Sequence, residues 1–255
     1  MFKSPQSLEE LCLDGIAENI ELYVEPVSKK TSWCIYLDSE ERPERKYVFR
    51  DPGIFLIQQI SEKLLSKLLE KGLLCDAILH IFSEQNTKLR SVRVANCKVS
   101  EYGLKILNNH KITELECINL RNISIPNIID CLSDWSQANI VNVNFTRCTF
   151  IDTSRHSYMV KIVNLKNLRS LNLSYTELNQ HCFTMICTDL QHLEKLDISG
   201  TPVKNLTPLL GLCKQIKSIG LAFSNQGDKH VLSLYKVYRQ SIFDVQASAS
   251  HSFIC

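Results

Sequence analysis

An apolar pattern recurs through the middle of the chain and leaves few folds open to it. "LRSVRVANCKV" sets Leu89, Val92, Val94, Cys97 and Val99 at the offsets L-x-x-L-x-L-x-x-N/C-x-L of a leucine-rich repeat. "IVNVNFTRCTF" repeats it with Ile140, Val143, Phe145, Cys148 and Phe150, "LRSLNLSYTEL" with Leu168, Leu171, Leu173, Thr176 and Leu178, and "LEKLDISGTPV" with Leu193, Leu196, Ile198, Thr201 and Val203. Weaker copies begin at Ile112 ("ITELECINL") and Ile216 ("IKSIGLAFS"). The six starts, 89, 112, 140, 168, 193 and 216, are separated by 23, 28, 28, 25 and 23 residues.

The spacing has a mechanical origin. Alternate residues of a short strand point to one side, and the next apolar residue must turn inward beneath them. The Asn, Cys or Thr position falls at that turn, where a side chain can satisfy backbone groups or fill apolar space. Between the strands, "YGLKILNN", "IPNIIDCLSDW" and "QHCFTMICTDL" carry apolar residues at helical spacing and are expected to form the convex layer. The expected fold is therefore α/β: a solenoid of about six leucine-rich repeats over residues 89–238, whose units bury their faces only by stacking. The tail 239–255, containing "SIFDVQASASHSFIC", has no repeat pattern and is expected to be irregular.

Residues 1–88 do not fit the repeat and are expected to form a small helical region. Ser7 with Glu10 three residues on is a capping-box pattern, and Ser4-Pro5 is an alternative start. Leu8, Cys12, Ile16 and Ile20 then fall on one helical face, with Leu11 and Tyr23 beside them. A charged connection over about 25–50 comes next, with room for a hairpin between "WCIYL" and "KYVFR". A second amphipathic helix after "RDPGIF" carries Ile60, Leu64, Leu65, Leu68 and Leu69 and is expected to stop at Gly72. The apolar ridge on the first helix has two explanations: it packs on the second helix, or another protein covers it.

Composition narrows the chemistry. The 29 Lys plus Arg against 27 Asp plus Glu leave a net charge of +2, without the basic stripe of a nucleic-acid or anionic-membrane binder. No segment reaches the apolar length of a membrane span, and the start lacks a signal-peptide pattern, so a cytoplasmic or nuclear location is expected. The eleven cysteines sit mostly inside apolar patterns and read as buried thiols; their spacing gives no zinc site. The seven His are scattered and the eight Gly form no phosphate loop. His181 beside Cys182 would face a different side of its element, and Asp197 reads as turn chemistry. No catalytic residue, metal or cofactor is assigned, and the chain is not expected to be an enzyme.

The ridge and the segments beyond it resemble a known family. Leu8, three residues, Cys12, three residues, Ile16 is similar to the Elongin-binding box of cullin-ligase substrate receptors. "SPQSLEELC", then "DPGIFLIQQISEKLLSKLLEKGLL", then "LRSVRVANCKVS" and "ITELECINL" occur in the order seen in the Zyg-eleven and Zer-one family of leucine-rich-repeat receptors of cullin-two RING ubiquitin ligases. The resemblance covers about residues 4–238. It implies an Elongin C-binding set of Leu8, Leu11, Cys12 and Ile16, and a cullin-binding set of Leu56, Ile57, Ile60 and Leu64. Ile57 stands where the family usually has proline, a departure that bears on which cullin is chosen. The implied partners are Elongin B, Elongin C and cullin-two with its RING subunit, and the implied role is a non-catalytic substrate receptor. Ubiquitin transfer would be performed by other subunits, with this chain supplying proximity.

The family continues into armadillo-like repeats that recognise substrate N-termini. This sequence ends before them, which is the pattern expected of a truncated or alternative product, and no N-terminal-glycine pocket is transferred to it. Such a chain would recruit substrate through its repeats or compete with full-length relatives. A leucine-rich-repeat scaffold unrelated to ubiquitination is the alternative reading.

Overall fold

The computed structural model describes residues 7–27, 46–150, 161–212, 216–222 and 244–246. Helix α1 (Leu8–Glu18) opens at Ser7, whose Oγ accepts the Glu10 N–H at 3.2 Å while the Glu10 carboxylate accepts the Ser7 N–H at 3.2 Å. Both halves of the capping box are formed. Asn19 ends α1, its side-chain amide donating to the Gly15 carbonyl at 2.9 Å, and a short helix α2 (Ile20–Tyr23) succeeds it. Strands β1 (Val24–Pro26) and β2 (Tyr47–Phe49) pair antiparallel. The hairpin thus joins "KYVFR" to Val24–Pro26; "WCIYL" lies outside the described residues.

Helix α3 (Gln58–Glu70) stops at Gly72, which takes φ +69°. The Gly72 N–H donates to the Leu69 carbonyl at 3.0 Å and the Leu73 N–H to the Leu68 carbonyl at 2.9 Å, closing a Schellman motif. Four cross-helix ion pairs fix α1 against α3 and its C-cap: Lys63–Glu9 at 2.8 Å, Lys67–Asp14 at 3.2 Å, Lys71–Asp14 at 3.7 Å and Lys71–Glu18 at 2.8 Å. The lysines recur every four residues and so share one face of α3. Lys67 and Lys71 beside Asp14 hold its carboxyl below the ordinary range. Exposed pairs add little stability singly; their effect here is to set which face of α1 turns inward.

The repeats form a parallel sheet in chain order: β3 (Ser91–Ala95), β4 (Glu114–Ile118), β5 (Asn142–Asn144), β6 (Ser170–Asn172), β7 (Lys195–Asp197) and β8 (Ser218–Gly220). Each strand lies on the central residues of one sequence repeat. The register sets Val92, Leu115, Val143, Leu171, Leu196 and Ile219 in one line, so the second leucine position of every copy packs on its counterpart. A seventh strand, β9 (Asp244–Gln246), pairs parallel with β8. It lies in the stretch expected to be irregular, because strand addition satisfies the backbone bonds of β8 without needing an apolar repeat signature. Helices Ile125–Asp130 and Asp134–Asn139 lie between β4 and β5, Gln180–Asp189 between β6 and β7, and Thr207–Leu212 between β7 and β8.

One residue in each of the first five repeats enters the left-handed region at the same position: Asn96 (φ 51°), Asn119 (φ 56°), Arg147 (φ 59°), Tyr175 (φ 57°) and Gly200 (φ 66°). Each donates its N–H across to the next repeat, Asn96 to Ile118 at 3.0 Å, Asn119 to Thr146 at 2.9 Å, Arg147 to Ser174 at 2.9 Å, Tyr175 to Ser199 at 2.7 Å and Gly200 to Ala222 at 2.8 Å. The turn that brings the next side chain inward is therefore bonded from repeat to repeat. At the inward position, Thr176 and Thr201 donate their hydroxyls to the carbonyls of Leu173 and Ile198, both at 2.7 Å, and the Cys148 thiol donates to the Cys117 carbonyl at 3.0 Å.

A single core runs from Leu13 and Ala17 through Leu64, Leu65 and Leu68 to Leu221. The helical region is thus continuous with the solenoid and closes its first edge. Glu62 of α3 accepts the N–H groups of Arg90 and Ser91 at 2.8 and 2.9 Å, where β3 would otherwise present unpaired donors.

His110 ties the two parts together from inside. Its Nδ1 accepts the Leu89 N–H at 3.3 Å, which places the proton on Nε2 and lets it donate to the Phe82 carbonyl at 2.8 Å. Burial lowers its pKa from the ordinary histidine value, and burial also lowers that of His80. Since both bind protons more readily when unfolded, stability is full above about pH 6.5 and falls as pH drops through that value. Urea unfolding at stepped pH should give a positive slope of free energy against pH between about 5.5 and 6.5 and a plateau above. A flat profile there would show that neither ring is held neutral.

Candidate functional site

α1 carries apolar residues on two faces, and only one meets the core. Leu13 is 3% exposed and Ala17 fully buried, and Ile20 of α2 continues them inward, so the packing is done by these three. Leu8 is 78% and Leu11 53% exposed, and Cys12 is exposed beside them. The expected ridge is thereby shortened. Ile16 is half-buried against the core and Ile20 is buried, because the break at Asn19 rotates the chain before Ile20 is reached. The lysines of α3 anchor the acidic side of α1, leaving Leu8, Leu11 and Cys12 facing solvent on a helix held in place from behind.

The expected cullin-binding set divides more sharply. Ile57 is 60% exposed at the N-cap of α3; Leu56 and Ile60 are half-buried. Leu64 is 2% exposed and belongs to the core between α3 and the first repeat, so it is corrected to a structural residue. Its i+4 relation to Ile60 placed it on the same stripe in the sequence, but that stripe turns inward after the first helical turn. Ile57 has φ −63° and ψ 158°, dihedrals that proline also adopts, so the backbone here would accept a proline.

The second surface is the open face of the sheet. Its side chains come from alternate strand positions, in two rows set by the register: Glu114, Asn142, Ser170, Lys195, and beside it Glu116, Asn144, Asn172, Asp197. All of these but Asp197 line a concavity of about 480 Å³. Its floor is stiffened by Asx turns in which Asn144 accepts the Thr146 N–H at 3.0 Å, Asn172 the Ser174 N–H at 2.8 Å and Asp197 the Ser199 N–H at 2.9 Å. The signal was present in the sequence as "NFT", "NLS" and "DIS", an Asx with Thr or Ser two residues on. Asp197 is thus turn chemistry, as expected. At the rim the Arg147 guanidinium lies over the Tyr175 ring at 5.2 Å. Lys217, bonded to Glu194 at 2.9 Å, holds that carboxyl below the ordinary range.

The thiols track burial. Cys117, Cys131, Cys148, Cys182 and Cys187 are buried, and Cys75 and Cys97 partly so. Burial pushes Cys131 up to about 12 and Cys148 to about 11, and raises Cys117 well above the ordinary thiol value. These sulfurs act as small hydrophobes. Among the described residues, Cys12 on the outward face of α1 is the exception. His181 is exposed while Cys182 is buried, so the two do not converge. Among the described residues no group of three or more His, Cys, Asp or Glu could hold a metal ion, and no helix is long and apolar enough to cross a membrane.

No protein-family model matches the chain. Two solved structures similar to it, both leucine-rich-repeat proteins, are the mouse RP105/MD-1 complex and internalin C2 from Listeria monocytogenes strain 4b F2365. The first is 17% identical with a TM-score of 0.36, over 60% of this chain and 28% of that one. The second is 20% identical with a TM-score of 0.36, over 64% of this chain and 73% of that one. The chain therefore spans little more than a quarter of the RP105/MD-1 chain it matches. The repeat architecture rests on strand register and the left-handed turns.

Proposed function

We propose that this chain is a non-catalytic substrate-receptor subunit of a cullin-RING ubiquitin ligase, docking through α1 onto Elongin C and presenting the open face of the sheet to a protein substrate. The observation that carries the reading is the position of Leu8, Leu11 and Cys12 on the solvent side of a helix whose other face is fixed by the core and by four ion pairs. A helix held this way loses little freedom on binding. Covering two leucines contributes about 1.5–3 kcal/mol each. The small Cys12 side chain lets a partner approach the helix closely. Ile57, at the start of α3, is the exposed member of the cullin set, and the family's choice of cullin-two is carried over with it. The site of action in this reading is the cytosol or nucleus. The polar sheet face, taken without α1, favours the second reading, a leucine-rich-repeat interaction scaffold unrelated to ubiquitination.

Co-purification of the full chain with Elongin B and Elongin C separates the two readings. Wild type should carry both Elongins through size exclusion, and the double variant Leu8→Ser, Cys12→Phe should lose them while remaining folded. Equal behaviour of the two proteins would remove the docking reading and leave the scaffold. Adding cullins singly to the Elongin complex, with Ile57→Pro alongside, tests the cullin assignment. Tighter capture of cullin-two by Ile57→Pro is expected.

A further inference from the structure

The row Glu114, Asn142, Ser170, Lys195 crosses four adjacent strands with a carboxylate at one end, an ammonium at the other, and an amide and a hydroxyl between. The charges around it are already matched. Glu116 pairs with Arg93 at 3.2 Å, and Glu194 takes Arg169 at 3.2 Å and Lys217 at 2.9 Å. Glu114 and Lys195, both exposed, form no ion pair among the described residues; Glu114 accepts the neutral Asn142 amide at 2.9 Å. The two ends of the row therefore offer charges of opposite sign over one concavity, neither taken up in an ion pair among the described residues, though Lys195 also acts through space on the neighbouring Glu194.

We propose that this row binds an extended segment of a protein substrate carrying a basic and an acidic side chain four residues apart. The proposal deepens the substrate-receptor reading and rests on it for the word substrate; the binding itself does not depend on Elongin docking. Three strand spacings of ~4.8 Å set Glu114 and Lys195 roughly 14 Å apart along the row. In an extended peptide, same-face side chains recur every ~6.8 Å, so residues i and i+4 also stand about 14 Å apart. The segment runs across the strands, its basic residue over Glu114 and its acidic residue over Lys195. Beneath it the Asn142 side-chain oxygen can accept from its backbone and the Asn144 amide N–H groups can donate to it, the Asn144 oxygen being taken by the Thr146 N–H and hydroxyl. The concavity is lined by the carboxylates of Glu114, Glu116 and Glu194 against the cations of Arg169 and Lys195, so it presents no excess positive charge to a polyanion, which distinguishes this occupant from a nucleic acid.

The test is fluorescence anisotropy with the full chain and labelled Gly/Ser peptides. One contains Lys-x-x-x-Glu, one Lys-x-x-Glu, and one Glu-x-x-x-Glu. Removing one residue turns the acidic side chain to the opposite face. Wild type should bind the first about tenfold more tightly than either of the others. Glu114→Lys should invert the order, preferring Glu-x-x-x-Glu over Lys-x-x-x-Glu by about tenfold. Both peptides meet the same variant, so loss of folding cannot imitate an inversion. Equal binding of the three peptides by wild type, failure of Glu114→Lys to invert the order, or tighter binding of an oligonucleotide would each overturn the proposal. None of these results alters Elongin co-purification, so the two readings fail separately.

Discussion

Leu68→Ala should lower the unfolding free energy by about 2–5 kcal/mol, whereas Leu8→Ser, an apolar-to-polar change in the same helical region, should move it by less than about 0.5 kcal/mol. Leu68 is fully buried on α3, the helix that contacts both α1 and β3, and its removal leaves a void those elements cannot close without moving. Its carbonyl also accepts the Leu73 N–H that terminates α3, so relaxation of the helix around a cavity is restricted by the glycine stop. Leu8 is on the far side of α1 and loses only exposed surface. Urea unfolding monitored by circular dichroism measures both. A cost above 2 kcal/mol for Leu8→Ser would mean that the chain itself covers the outward face of α1, and the docking reading would lose its surface. A small cost for Leu68→Ala would mean that the helical region is not joined to the repeats by a common core.

The repeat was legible because its strands obey a period that no tertiary context modifies. Leu171 and Leu196 sit where the offsets put them, and the weak copy at Ile112 forms as long a strand as the first, Glu114–Ile118. The position of α1 was legible only in part. Its cap at Ser7 is local chemistry and was readable, but its apolar residues at 8, 11, 12, 13, 16 and 17 cover more than one face. Choosing among those faces depends on Lys63, Lys67 and Lys71, more than fifty residues away in the chain. Leu64 failed as a surface residue for the same reason: helical spacing defines a stripe, and only the partner element decides which end of it is covered. The two rows on the sheet were hidden at a different level. They require the inter-strand register, which connections of unequal length, 23 to 28 residues from start to start, do not reveal by inspection.

Gly200→Ala should cost about 2–4 kcal/mol, more than a glycine at an ordinary turn. Gly200 has φ +66°, and its added Cβ would lie 2.5 Å from Cδ1 of Tyr175, the residue one repeat earlier at the same left-handed position. Two costs are therefore superposed. The backbone conformation accounts for about 1–2 kcal/mol and is unavoidable for alanine. The remainder comes from driving the Tyr175 ring off its site under the Arg147 guanidinium. A double-mutant cycle separates them. Tyr175→Ala alone forfeits about 0.5–1 kcal/mol of ring contact with Arg147. In the Tyr175→Ala background, Gly200→Ala should then cost only its backbone share, giving a coupling energy of at least about 1 kcal/mol in thermal or urea unfolding. Simple additivity would mean that the rim side chains do not interlock. Coupling would mean that the left-handed turns form a continuous rigid edge. The Asx turns at Asn172 and Asp197 hang from that edge, because Tyr175 donates its N–H to Ser199 and Ser199 donates its own to Asp197. A rim that interlocks repeat by repeat keeps the floor of the concavity in register, so that a partner meets charges at fixed spacing.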